Sequence, residues 1–323
     1  MLKNKKLWIA WEDDGSIRSK VLSREMKADF HTFTLFEGHK HLSVFRYPVA
    51  VLQTFFTLVK EKPEILVVQN PSIVLSFFAA LVKPVFHYKL VTDLHTLYLN
   101  PRGFKKIIMN FLNDYSLKRS NITIVTNESY RAKIKDKTKK VIFVLPDRIP
   151  DFDYEFEKIS LKGKNNVLFI CTFSEDEPWE EVIDAAKLLE KDTYIHISGR
   201  NDLNKDNIPP NVILTGFLPT RDYQNLLRSV DIIMVLTHQE DCLVCGGYEA
   251  VSAEKPLILS RTRILREYFN SGTVFTKNIS KDIAESVRLA IKNKPDLKKQ
   301  IKELKSIRMS EWEKRWGNLL RLL

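Results

Sequence analysis

Residues 231–260 read DIIMVLTHQEDCLVCGGYEAVSAEKPLILS. The apolar run Ile232–Leu236 has the length and composition of a buried strand, and residues 237–242 form a polar loop. A helix is expected over Gly246–Ala253, opened by a glycine pair, and Pro256–Ser260 supplies the next strand. Strand, helix and strand in this order make a βαβ unit, because parallel neighbours need a crossover connection. The free N–H groups at the start of that helix favour an anion, and Gly246 and Gly247 allow the backbone a close approach to it. Glu249, one turn in, adds a carboxylate whose two oxygens can accept from a pair of sugar hydroxyls.

The same alternation extends in both directions. Val167–Cys171, Thr193–Ser198 and Val212–Leu214 read as strands, with helices at Trp179–Leu189, Tyr223–Ser229 and Lys281–Lys292. Nearer the start, strands are expected at Lys6–Trp11, Ile65–Val68, Tyr88–Thr92, Ile122–Val125 and Val141–Leu145. Helices between them begin near Arg18 and span Ser72–Val82 and Phe104–Leu117. The stretch PDRIPDFDYEFEKISLKGK at 146–164, with two prolines and an acidic cluster, reads as an interdomain linker. Two consecutive doubly wound α/β domains follow, 1–155 and 156–308. An amphipathic helix at 309–323 carries Trp312, Trp316, Leu319 and Leu320 on one face. In open α/β sheets ligands bind outside the carboxyl ends of the strands, so two such domains facing a cleft can each hold one substrate of a group transfer.

Composition narrows the class. Of 323 residues 44% are hydrophobic and 28% charged, with only 10 Gly and 13 Pro, which excludes disordered and fibrous chains. The longest apolar stretch, 71–86, is interrupted by Lys83 and falls short of the roughly 20 residues a membrane span needs. The opening MLKNKKLWIAWEDDG has too short an apolar run for a signal peptide. Three cysteines (Cys171, Cys242 and Cys245) make no disulfide framework and suit a reducing cytoplasm. Residues 1–160 hold 26 Lys/Arg against 17 Asp/Glu, most of the net charge of +11, and so imply an anionic partner for this half or simply a solvated surface.

Asp241 and Glu249 stand eight apart, and Glu249 is followed by Ala250 and then Glu254-Lys255-Pro256-Leu257-Ile258. This run resembles the E-x7-E signature of GT-B glycosyltransferases, especially glycosyltransferase family 4. Ile197-Ser198-Gly199, the stretch NVILTGFL at 211–218 and Trp312 are similar to further family features in the same order. The resemblance implies two Rossmann-like domains facing a cleft, with the final helix crossing back to the first. It also implies a nucleoside-diphosphate-sugar as co-substrate, no separate cofactor and no metal in catalysis. Glu249 would bind the nucleotide ribose and Asp241 the donor sugar or its phosphate. Cys242, Leu243, Gly246, Gly247, Tyr248, Thr172, Ser198, Gly199, Arg200 and Gly216 would complete the donor site.

The departures matter as much. Asp241 stands where Glu is usual, and the Arg and Lys that hold the family's diphosphate fall on Thr172 and Glu177. Arg200, Arg261, Arg263 or the helix start must then take that role. The run TFSEDE at 172–177 is similar to the S-W-T-x-D-E of the chitobiosyl-diphospho-dolichol β-mannosyltransferases, as are Gly15-Ser16-Ile17-Arg18-Ser19 and Asp93-Leu94-His95. Gly15, Ser16 and Arg18 are thereby candidates for acceptor or phosphate contact, although a glycine turn after a first strand is common. Asp93, at a strand end, is the candidate base an inverting transfer needs, with His95 second; the plainer role for Asp93 is a cap. Cys242 and Cys245 are a lone pair that cannot complete a tetrahedral zinc site, and Glu175–Glu177 read as a solvated turn.

The expectation is a cytoplasmic, membrane-peripheral hexosyltransferase acting on a saccharide acceptor, lipid-linked, in glycan or polysaccharide biosynthesis. RGFKKIIMNFL at 102–112, His39-Lys40-His41 and Phe55-Phe56 give the first domain an amphipathic, basic character that suits anionic headgroups, or equally a core-facing helix. The alternatives are a sugar-nucleotide epimerase or hydrolase of GT-B shape, and a basic nucleic-acid binder. The last lacks a recognisable reading helix.

Overall fold

A computed structural model describes residues 5–11, 17–33, 43–70, 72–94, 106–203 and 208–323. The chain divides into two compact units, Met1–Asp147 with Trp312–Leu323, and Arg148–Glu311.

The first unit is a parallel sheet of β1 (Lys6–Ala10), β2 (Asp29–Thr32), β3 (Ile65–Asn70), β4 (Lys89–Leu94), β5 (Ile122–Val125) and β6 (Val141–Val144), in the order β2-β1-β3-β4-β5-β6. Side-chain alternation splits its core in two. Leu7, Ile9, Leu66, Val68 and Leu90 meet α2 (Ser43–Glu61) and α3 (Ile73–Phe86), with Tyr115 of α4 (Lys106–Arg119) against the same cluster. Trp8, Val67, Val91 and Ile124 meet α1 (Ile17–Met26) and the end of the last helix. A short helix α5 (Glu128–Ile134) follows β5, capped by Asn127 accepting from the Tyr130 N–H at 3.0 Å.

The second unit repeats the plan. Its strands are β7 (Asn165–Phe169), β8 (Thr193–Ser198), β9 (Val212–Gly216), β10 (Ile232–Val235), β11 (Leu257–Ser260) and β12 (Thr273–Thr276), ordered β12-β11-β10-β7-β8-β9 and all parallel. The helices are α6 (Trp179–Ala186), α7 (Thr220–Ser229), α8 (Cys245–Ser252), α9 (Arg263–Tyr268), α10 (Ser280–Lys292) and α11 (Lys294–Leu322). Strand order reverses between β1 and β3 and between β7 and β10, and such switch points open ligand crevices at the carboxyl ends of the strands.

Two sequence expectations change. The stretch from residue 148 is no free linker. Ile149, Phe152, Ile159 and Leu161 pack on the second unit's core, and the N–H groups of Asp153, Glu157 and Ile159 are bound by Gln224, Asn225 and Ser229 of α7. The boundary therefore falls after Asp147 rather than at 155. The last helix is also far longer than 309–323: it starts at Lys294, with Pro295 in the first turn, where a missing N–H is harmless. Trp312 and Trp316 stack at 5.2 Å and join Leu319 in the first unit's core, whereas Leu320 points outward.

Candidate functional site

The loops that follow β7 and β10 in the second unit are tied together by one side chain. Asp176 accepts from Thr237 Oγ1 at 3.0 Å and Gln239 Nε2 at 2.8 Å, and its carbonyl accepts from the His238 N–H at 2.7 Å. Burial works against its charge, but Ser174, Thr237 and Gln239 prevail and hold its carboxyl below the ordinary range. Glu177 folds back on its own loop, accepting from Thr172 N at 2.8 Å, Thr172 Oγ1 at 2.9 Å and Ser174 N at 3.1 Å. Asp176 and Glu177 are thus loop-building groups, not part of a solvated turn. Where the resemblance implies a diphosphate-binding cation, this chain has a carboxylate that occupies the loop's donors.

Ser198, Gly199 and Arg200 end β8 beside this loop. Ser198 Oγ accepts from the Cys171 N–H at 3.2 Å. Gly199 has φ +102°, and a Cβ there would lie 2.2 Å from the Cys171 carbonyl oxygen. Because a backbone oxygen cannot yield and the conformation disfavours any side chain, Gly199→Ala is expected to destabilise the protein by about 2 kcal/mol or more, read by urea denaturation. The Arg200 guanidinium lies 4.9 Å over the Phe217 ring, and Gly216, at φ +69°, has open space where a Cβ would be.

Helix α8 begins after the turn that holds Asp241. Its N-cap, Val244, offers no side-chain bond to the first turn. The glycine pair serves packing: a Cβ on Gly246 would meet Ile170 and Val235 at 2.9 Å, and one on Gly247 would meet the Phe269 ring at 2.7 Å. Packing is thus a sufficient reason for glycine at both positions. Leu243 and Tyr248 are likewise core residues, Tyr248 lying against Tyr268 and Phe269, so neither side chain is offered to a donor. Cys242 and Asp241 are half-buried and Thr172 is exposed.

Glu249 is half-buried on α8, and its Oε2 accepts from the Tyr223 hydroxyl of α7 at 2.5 Å. Burial pushes its carboxyl above the ordinary range, against the pull of that hydrogen bond. Burial and the neighbouring carboxylate raise the Tyr223 phenol well above its usual value, so it stays a donor. Tyr223 escaped the sequence reading because nothing in its own helix signals a partner 26 residues away.

The first unit overturns one assignment. Asp93, at the end of β4, has no exposed surface, and both its oxygens are held by Arg18: Nε to Oδ2 at 2.8 Å and Nη2 to Oδ1 at 2.9 Å. Arg18 also donates to Asp147 at 2.6 Å and to the Leu145 carbonyl at 3.1 Å. A carboxylate sealed in a bidentate pair is not poised to take a proton from an acceptor hydroxyl, so Asp93 is a structural anchor rather than a base. By the same contacts Arg18 is committed inside the protein and is not free for a phosphate. Gly15, Ser16 and His95 lie outside the described residues.

Residues 151–306 match the family model described as Glycosyl transferases group 1, which is nearly the whole second unit. Among solved structures, Anabaena Alr3699/HepE in complex with UDP-glucose aligns over 99% of this chain and 100% of that chain, at 12% identity and TM-score 0.74. The fold is GT-B. Sucrose-phosphate synthase (tll1590) from Thermosynechococcus elongatus aligns over 98% of both chains at 11% identity and TM-score 0.74. A Listeria monocytogenes protein assigned as a UDP-N-acetylglucosamine 2-epimerase covers 93% of this chain and 91% of its own at 15% identity and TM-score 0.65. No curated protein matches the chain in sequence. At these identities the structural likeness is one of fold. In this GT-B chain the Glu249–Tyr223 pair, the start of α8 and the Asp176-tied loops all lie within the matched region.

Proposed function

We propose that the protein transfers a hexose from a nucleoside-diphosphate-sugar, bound by the second unit, to a saccharide acceptor bound by the first. The reading rests on Glu249: a half-buried carboxylate one turn into α8, braced by Tyr223, inside a segment matching Glycosyl transferases group 1. Its free acceptor capacity suits a ribose diol, and the N-terminal N–H groups of α8 suit a diphosphate. The Anabaena relative was solved with UDP and with UDP-glucose, which supports a nucleotide-sugar donor here. In the reaction the bond from the anomeric carbon to the diphosphate oxygen breaks, with its electron pair leaving on the nucleotide. The acceptor oxygen bonds to the anomeric carbon, and its proton passes to the departing diphosphate oxygen. The helix N-terminus would stabilise charge gathering on the leaving diphosphate without metal, and Arg200 and Arg261, which follow the carboxyl ends of β8 and β11, are the candidate cations. Incubation with nucleotide sugars and a panel of glycosides tests the reading. Transfer product supports it, whereas free nucleotide without acceptor would favour the epimerase or hydrolase alternative.

The acceptor we propose is lipid-linked, met by an exposed apolar layer of the first unit in the cytoplasm, on an anionic bilayer. Leu52 and Phe56 of α2, Leu81 and Val85 of α3, and Ile107, Ile108 and Phe111 of α4 are all exposed, Ile107 to 81%. Helix α3 contacts both α2 and α4. Cations border this layer: Lys60, Lys118, Arg119, Lys137, Lys139 and Lys140 are exposed, and Lys83 is lowered by burial and then by Lys140 and Arg119. Apolar side chains ringed by cations complement an anionic lipid surface. No helix among the described residues is long and apolar enough to cross a membrane. Ile107→Asp with Phe111→Asp is expected to lower sedimentation with phosphatidylglycerol vesicles at least tenfold, with the fold intact by circular dichroism; unchanged sedimentation removes this part of the reading.

A further inference from the structure

A second basic feature lies in the second unit, where α8 ends and β11 begins, at the amino ends of the strands. Phe152, Phe156, Arg228, Lys255, Lys298 and Lys305 surround a concavity of about 420 Å³. Four cations meet there, and Glu254 is the carboxylate among its lining residues. Glu254 is already engaged by Lys305 at 3.2 Å. Asp231, the acid that acts on Lys255, is taken by Lys294 at 2.8 Å and by the Asn166 N–H at 2.9 Å.

Three of the four cations are held in place rather than left to swing. The Arg228 guanidinium lies over both rings, 4.8 Å from Phe152 and 4.6 Å from Phe156, and donates to the Tyr154 carbonyl at 3.0 Å. Lys255 Nζ donates to the Val230 carbonyl at 2.7 Å, and Lys305 Nζ to the Ser252 carbonyl at 2.9 Å. Burial first, and then Lys298, Lys294 and Lys158, push the Lys255 ammonium down to about 8, against the pull of Asp231. Like charges fixed in a concavity repel one another, and a bound anion of opposite sign relieves that repulsion while accepting their remaining N–H bonds. The volume falls within the range of small-molecule sites.

We propose that this concavity is a second ligand site, for a small phosphate-bearing anion, separate from the Glu249 site and independent of any sugar transfer. Phosphate oxygens would bridge Lys255, Lys298 and Arg228, with the two phenylalanines fixing the arginine. The test is thermal unfolding in inorganic phosphate against sodium chloride of matched ionic strength. It uses the wild type, Glu249→Ala, Lys298→Ser and Lys255→Met. Phosphate is expected to raise the midpoint of the wild type and of Glu249→Ala alike, by several degrees once it exceeds its dissociation constant about a hundredfold. The rise should be lost in Lys298→Ser, an exposed position where folding is not at risk, and in Lys255→Met. Glycerol 3-phosphate in place of inorganic phosphate separates a phosphomonoester from the free ion as the source, and stabilisation by either upholds the site. No rise beyond that of chloride, or an equal rise in the lysine variants, overturns it.

Discussion

Glu249→Ala is expected to weaken nucleotide-sugar binding about a hundredfold, measured by calorimetry with the ligand that best stabilises the wild type in a thermal-shift screen. Hydrogen bonds to an ionised group contribute about 1.5–3 kcal/mol each, so losing a carboxylate that grips two hydroxyls amounts to two decades even at the low end of that range. Tyr223→Phe should cost less, because it frees the carboxylate without removing it. The pH dependence carries a distinct signature. Burial raises the Glu249 carboxyl in the folded protein, so on acidification binding should fail at a pH above the ordinary carboxylate range. The stability sign runs the other way. Between the unfolded and the raised folded value the native state holds more protons, so stability decreases as pH rises through that window. Glu249→Gln should therefore be at least as stable as the wild type at neutral pH while binding nucleotide poorly. Unchanged affinity in both variants would refute the donor assignment.

Arg18→Ala should be the most destabilising single change in the first unit. It leaves Asp93 fully buried with neither oxygen held by its guanidinium, and strips Asp147 of a 2.6 Å contact. Breaking a buried ion pair from one side typically costs about 3–5 kcal/mol, which for a unit of this size is a drop of roughly ten degrees in Tm or more. Replacing Arg18 and Asp93 together by Met and Leu should restore much of the loss, since the desolvation of both charges disappears with them. Asp93→Asn discriminates between roles. An anchor loses stability but keeps kcat in the surviving folded fraction, whereas a base would lose kcat by orders of magnitude at intact stability.

How much of this was legible beforehand differs by element. Strands with continuous apolar runs, such as Ile232–Val235, announce themselves because both faces are buried. The edge strands DFHT (β2) and TVFT (β12) do not: β2 buries no side chain fully and β12 only Val274 and Thr276, and four residues are too few to set a period. Helix α11 was seen only at its tryptophan end, because its first half spreads apolar contacts such as Leu297, Ile301 and Leu304 among many lysines. In the candidate site, the place of Glu249 one turn into a helix was readable. Tyr223 was not, nor was the burial of Asp93. Hydrogen bonds spanning 26 and 75 residues exist only once the sheets have formed. The packing role of Gly246 and Gly247 was not readable either, since a glycine required for packing and one required by a ligand look identical in sequence.

The placement of Trp312, Trp316 and Leu319 beside Trp8, Leu22 and Val67 bears on how the chain is made. Emerging from the ribosome, residues 1–147 have their strands and helices but not the three side chains that close one side of their hydrophobic interior. Those arrive about 165 residues later, after the whole of the other unit has been synthesised. The first unit is thus completed after the second, and it should hold exposed tryptophan and methionine surface, open to chaperones and proteases, until residues 312–319 have been made.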